Sequence, residues 1–185
     1  GSSLTITGNT IRISGVITNG GTFDATAGTI EMNGTSAQQL GANLFATNTV
    51  QDLIVNNTAG VTLLGTLNAT RSVLASNGNF NTGGYLTLVS SAAQTAYIDG
   101  TGTGQVLGDV TMQRYLNSGF GYRYISSPFL AATVSQLSPE VDLASGFPLV
   151  YRYDENRTSS GWVSYVNPVS VLNPLQGYSA NFGSV

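Results

Sequence analysis

Short stretches in which apolar and polar residues alternate recur along the chain. Leu4-Thr5-Ile6-Thr7, Thr10-Ile11-Arg12-Ile13, Thr29-Ile30-Glu31-Met32 and Tyr85-Leu86-Thr87-Leu88 each alternate over four residues, with Gly, Asn or Ser close by. Successive side chains of an extended chain point to opposite faces, so this pattern builds one dry and one wet face and predicts β-strands. No window of ten residues repeats at the helical period. A single short helical turn is expected at Thr133–Leu137, ahead of Ser138-Pro139.

The first part of the chain also repeats itself. Displaced by 56 residues, Gly28-Thr29-Ile30-Glu31-Met32 falls on Gly84-Tyr85-Leu86-Thr87-Leu88, and Ala37-Gln38 falls on Ala93-Gln94. Such a period fits about three coils of about 19 residues each, the length expected of a β-solenoid. One coil cannot bury its inward residues alone, whereas stacked coils share one apolar column. Ile11, Ile13, Phe23, Ile30, Met32, Leu53, Val55, Val61, Leu63, Leu86 and Leu88 are expected to fill it, with Gly and Asn at the corners and Thr and Ser outside. A β-sandwich would show similar alternation; the repeat and the scarcity of charge favour the solenoid.

Composition changes near residue 116. Twenty of the 22 threonines precede it, while all five prolines, Trp162 and six of the nine tyrosines follow it. The chain is therefore divided into a β-solenoid over 1–116 and a small all-β module over 117–185, with a turn at Asn117-Ser118-Gly119. Strands are expected at Tyr122–Ile125, Leu149–Tyr153, Trp162–Tyr165 and Tyr178–Phe182, with a hairpin loop over 154–161. The fold class is thus all-β: a parallel β-helix followed by a small β-sandwich-like C-terminal cap that closes the open end of the stack. The chain starts Gly1-Ser2-Ser3 and stops inside what reads as a strand, so it is expected to be a piece of something longer.

Charge narrows the functional classes. Only 8% of residues are charged, against roughly 25% in ordinary globular proteins. The net charge is −3 and there is no Lys, so a basic footprint for nucleic acid is missing. No apolar run reaches the roughly 18 residues of a membrane span, so no membrane insertion is expected. There is no Cys, which removes disulfides and thiol chemistry.

A family resemblance rests on particular residues. The run Gly104-Gln105-Val106-Leu107-Gly108-Asp109-Val110-Thr111-Met112-Gln113-Arg114-Tyr115-Leu116, followed by Gly121-Tyr122-Arg123-Tyr124-Ile125-Ser126-Ser127-Pro128, resembles a junction in long secreted proteins of Bacteroidetes. Those proteins are similar to giant adhesins exported by the type IX secretion system. Upstream, Gly28–Gly34, Gln38–Gly41, Leu53–Asn57 and Gly60–Leu63 resemble their solenoid repeats. The resemblance implies export to the cell surface and, as partners, surface glycans or the secretion machinery.

Candidate chemistry is sparse. Without His or Lys there is no Ser–His triad, His-ligated zinc or Lys Schiff base. Asp24, Glu31, Asp52, Asp99 and Asp109 are scattered singly, so the chain is expected to be no enzyme, with no catalytic residue and no resident cofactor. Calcium is the metal the sequence comes nearest to, through Asp154-Glu155-Asn156 and Asp99, yet neither has EF-hand spacing and both are read as turns. Tyr151, Tyr153, Trp162 and Tyr165 lie on two strands that can pair, and are the candidate ligand-binding residues. The reading is a non-catalytic structural and adhesive module of an extracellular surface protein. The alternatives are an accessory carbohydrate-binding module and, behind it, a β-helix polysaccharide lyase fragment.

Overall fold

A computed structural model describes residues 1–117 and 119–183. The chain divides into two compact units, Gly1–Tyr115 and Leu116–Val185. The Asn117-Ser118-Gly119 turn includes Ser118 and lies outside the described residues.

The first unit is a parallel β-solenoid of about six turns. Its coils are β1 (Ser3–Ile13); β2 (Thr22–Met32) and β3 (Gln38–Leu40); β4 (Thr49–Asn56) and β5 (Val61–Leu63); β6 (Leu67–Asn77) and β7 (Phe80–Asn81); then β8 (Leu86–Leu88), β9 (Tyr97–Asp99) and β10 (Val106–Leu107); and finally β11 (Val110–Met112). The long sheet runs β1-β2-β4-β6-β8-β11, with β9 also paired to β6, and the short sheet runs β3-β5-β7-β10. Every pairing between these strands is parallel. The two four-residue alternations at the start of the chain merge into the single strand β1, whose register shifts between Thr5 and Thr10.

Parallel register stacks each side chain on its counterpart about 4.8 Å away. One inner column is Ile11, Ile30, Leu53 and Val73, with Ile98 stacked on Val73 as its exposed end; another is Ala25, Val50, Ala69, Leu88 and Met112. Nine of the eleven expected core residues are buried, and Ile11 and Ile13 pack partly buried against the same cluster. The first-coil isoleucines have a stacked neighbour on only one side among the described pairings, which leaves them more open.

The 56-residue offset is not a stacking register. Leu86 sits on Leu67, whereas Ile30 continues into Leu53 and Val73. Coils differ in length: Ser3 pairs 19 residues on with Thr22, Ile30 pairs 23 on with Leu53, and Val73 pairs 25 on with Ile98. The extra residues sit at corners, including a 3-10 turn at Ala46–Asn48 with Thr47 and Asn48 at positive φ. Alternating sequence looks alike in every coil, so similarity alone cannot tell stacked positions from shifted ones.

One corner is wired by amides. Gln38, nearly fully buried, donates to the Ile13 and Gly15 carbonyls (both 2.9 Å) and accepts from Gly34 N–H (2.8 Å) and Asn57 Nδ2 (2.9 Å). Asn57, also buried, donates to the Ser36 carbonyl and accepts from Ala59 N–H. These two side chains tie three successive coils together and satisfy backbone groups that water cannot reach.

The second unit holds one four-stranded antiparallel sheet: β12 (Tyr122–Ile125), β13 (Val150–Tyr153), β14 (Trp162–Ser164) and β15 (Tyr178–Asn181), in the order β12-β15-β13-β14. Among the described residues the layer over its inner face is loop and a 3-10 turn, Val134–Leu137, rather than a second sheet. Thr133 and Gln136 close a capping box at that turn, with Gln136 Oε1 accepting from Thr133 N–H at 3.2 Å. Val134, Leu172, Tyr178, Val141, Val150 and Ala180 form its buried core.

The corners give a stability test. Gly78 (φ 83°) and Gly84 (φ 81°) adopt the same left-handed backbone, but a Cβ at Gly78 would collide with the Asn57 carbonyl while one at Gly84 meets open space. In urea unfolding, Gly84→Ala is expected to cost about 1 kcal/mol, the price of the left-handed conformation alone. Gly78→Ala is expected to cost more than about 3 kcal/mol, because the neighbouring coil must move.

Candidate functional site

The solenoid's carboxylates are held apart, and Asp24, Glu31, Asp52 and Asp99 are each occupied locally. Arg12 stacks in register on Glu31 one coil away, with Nε donating to Oε2 at 2.8 Å, and Asn56 donates to the other Glu31 oxygen at 3.0 Å. Asp52 is the more enclosed, its side chain only 4% exposed. It accepts from Arg71 Nε (2.7 Å), from a second Arg71 nitrogen, from Ser72 Oγ (2.6 Å) and from Thr29 Oγ1 (3.3 Å). Arg71 reaches it because β6 carries an extra residue there: Val50 pairs with Ala69, but Asp52 pairs with Ser72.

Burial alone pushes the Asp52 carboxyl up, but the hydrogen bonds and charge of Arg71, with those of Ser72 and Thr29, outweigh it and hold the group below the usual aspartate range. Asp24 and Asp99 are also lowered, by the side-chain hydroxyl and backbone N–H of Thr26 and of Thr101 respectively. Asp24, Asp99 and Asp154 each close a tight turn on the residue two ahead. Among the described residues no three acidic side chains converge as a metal site would require. A carboxylate with four donors, two of them from one arginine, is spent on structure, since its lone pairs already have partners.

The aromatic candidates divide. Tyr151 pairs across the sheet with Ser179 and Ser164, and Tyr153 with Trp162, so Tyr151, Tyr153 and Trp162 share one face. Tyr165 does not join them. It follows the last residue of β14 and turns to the inner side, its ring centroid 5.4 Å from Tyr178, under the Arg152 guanidinium at 5.6 Å, with its hydroxyl donating to the Val171 carbonyl at 2.8 Å. Strand alternation explains this: Trp162 and Ser164 point out, so the next extended residue points in.

Two residues the sequence reading passed over complete the outer face. Tyr122 pairs with Asn181 and Tyr124 with Ser179, which places both with Tyr151 and Trp162. A visible signal existed: Tyr122-Arg123-Tyr124 and Tyr151-Arg152-Tyr153 are the same tripeptide on two strands of one sheet. The rings contact one another. Tyr122 meets Tyr151 edge-on at 5.8 Å, Tyr153 meets Trp162 edge-on at 5.3 Å, and Tyr124 lies nearly parallel to Trp162, 18° apart at 6.2 Å. Tyr124 is 81% exposed and Tyr153 57%, while Ser179 and Asn181 are buried at the centre of the face. Partial burial, together with Tyr151, raises the Tyr122 phenol, so it stays neutral at physiological pH.

The Asp52 cluster gives an acid-sensitivity test. Its folded pKa lies below the unfolded value, so the stabilisation is complete above that value and is lost as pH falls through the folded one. Thermal melts are expected to be flat from neutral pH to about pH 5 and to drop below about pH 4. Asp52→Asn is expected to cost about 1–2 kcal/mol at neutral pH, the exposed Arg71 keeping the figure low, and to flatten part of the acid drop.

Compared with known protein families, curated proteins and solved structures, the chain matches none of them.

Proposed function

We propose that the chain is a non-catalytic structural and adhesive module of a large secreted bacterial surface protein. The observation that carries this reading is the solenoid's stacking, coil on coil, around one filled apolar column, with its two most enclosed carboxylates committed to arginines. About six coils at about 4.8 Å each give a stiff column that rises about 25 Å. Backbone hydrogen bonds along that axis resist extension, which suits a spacer that carries a neighbouring unit away from an anchor. The family resemblance in the sequence, rather than the fold, points to a bacterial cell surface as the place of work.

The lyase alternative has less support, because such chemistry needs free acidic ligands for calcium and an available base. Here Glu31 and Asp52 are occupied by Arg12 and Arg71, and the sequence holds no Lys.

Two measurements test the proposal together. Antibody raised against residues 1–185 is expected to label intact cells of the source bacterium without permeabilisation. The purified chain, incubated with polygalacturonate and alginate with and without calcium, is expected to release no unsaturated uronate. Labelling only after permeabilisation defeats the surface assignment; product release defeats the non-catalytic one.

A further inference from the structure

We infer that the outer face of the second unit's sheet is a binding platform for an uncharged polysaccharide, with Tyr122, Tyr124, Tyr151, Tyr153 and Trp162 as its stacking surface. The inference extends the adhesive reading by naming what the module adheres to.

The first argument is an inverted polarity. A sheet covered on one side normally turns its apolar residues in and its charged residues out. Here the two Tyr-Arg-Tyr strands do the opposite. Arg123 pairs with Ala180, and Arg152 pairs with Tyr178 and Val163, so both arginines lie on the inner side with the buried core. Arg152 Nε is buried there without a hydrogen-bond partner among the described residues, a recognised cost of folding. The tyrosines and the tryptophan are left facing water. Folding alone does not favour that arrangement.

The second argument is chemical. On this face the strands present only Tyr, Trp, Ser and Asn: Tyr122, Tyr124, Ser179, Asn181, Tyr151, Tyr153, Trp162 and Ser164. It bears neither an aliphatic side chain nor a formal charge. A protein partner would be met by a mixture of both. A pyranose ring has an apolar C–H face that lies flat on an aromatic ring, and a hydroxyl rim that needs donors and acceptors. Among the described residues the Trp162 indole N–H and the Tyr124 and Tyr153 hydroxyls make no protein hydrogen bond, so they are available to that rim. Trp162 and Tyr124, nearly parallel, offer ring faces of common orientation.

The third argument is charge complementarity. The hairpin that follows Tyr153 carries Asp154 and Glu155 against the single Arg157, a net negative charge that would repel a polyanion at the edge of the platform. An uncharged glycan meets no such barrier.

The test uses the full 185-residue chain in affinity electrophoresis and calorimetry with soluble uncharged glycans (xylan, cellohexaose, mannan) and with alginate as the anionic comparison. Binding to at least one uncharged glycan is expected, with a shift of Trp162 fluorescence and no retardation by alginate. Tyr124→Ala, at a position 81% exposed, is expected to keep the wild-type melting temperature and to weaken binding about tenfold. Trp162→Phe is the second variant and is expected to weaken it less. Failure to bind any uncharged glycan overturns the inference, as does binding that both folded variants leave unchanged. A chain that dimerises in solution and that Tyr124→Arg renders monomeric, with no glycan bound, would also overturn it, by assigning the face to self-association. Each of these outcomes leaves the surface-spacer reading standing, since that reading fails only on labelling or on product release.

Discussion

Parallel, in-register stacking is the constraint on which the solenoid depends. Each coil hydrogen-bonds to the next along the axis, so each outward side chain has a neighbour about 4.8 Å above and below. Two like charges at that spacing repel by about 3 kcal/mol at a surface-like dielectric of about 20. Charged residues are therefore tolerated only singly or against an opposite charge. Arg12 sits on Glu31, Asp52 takes Arg71 from the next coil, Asp24 lies on Thr5, and Asp99 lies on Leu74. The low charge of the solenoid follows from this geometry. Thr and Asn take the vacated outer positions, as in the column Thr49, Asn68, Thr87 and Thr111, where short polar side chains stack without penalty.

That constraint also decided what could be read from the sequence. Alternation marks which residues face in, and the burial of Ile30, Met32, Leu53, Val55, Leu86 and Leu88 follows from it directly. It says nothing of which coil residue lies over which, because the period of two is the same in every strand. Register is set at the corners, where Asn43, Thr47 and Asn48 take up positive φ and eight residues part β8 from β9. The Gln38–Asn57 network was hidden for a related reason. A buried glutamine bonded to two carbonyls of the preceding coil depends on contacts some 25 residues apart, which no local pattern encodes.

In the second unit the legible part was the strands and the illegible part their faces. All four expected strands exist, within a residue or two at their ends. Grouping Tyr165 with Trp162 as candidate ligand-binding residues took strand membership alone; the odd spacing between the two residues places them on opposite sides of an extended chain. The repeated Tyr-Arg-Tyr tripeptide carried the better signal. Alternation puts the two tyrosines of each strand opposite its arginine, and the shared partner Ser179 of Tyr124 and Tyr151 sets both strands in the same phase, with four tyrosines on one side and two arginines on the other.

Which side is buried is then a matter of energy, and here the two units differ. In the solenoid, Phe23, Phe45 and Phe80 are all inside, where stacking on neighbouring coils removes them from water. In the sheet of the second unit the core side is filled by Val150, Ala180, Tyr178, Val134 of the 3-10 turn and the loop residues Val141 and Leu172, leaving the five rings outside to cover only one another. A tyrosine ring turned inward would gain about 2 kcal/mol of burial, and an arginine turned outward would shed its desolvation cost. Neither exchange has been made on either Tyr-Arg-Tyr strand. The stability forgone is concentrated on a single uncharged, ring-covered surface, which is where a contact made by stacking rather than by charge would have to lie.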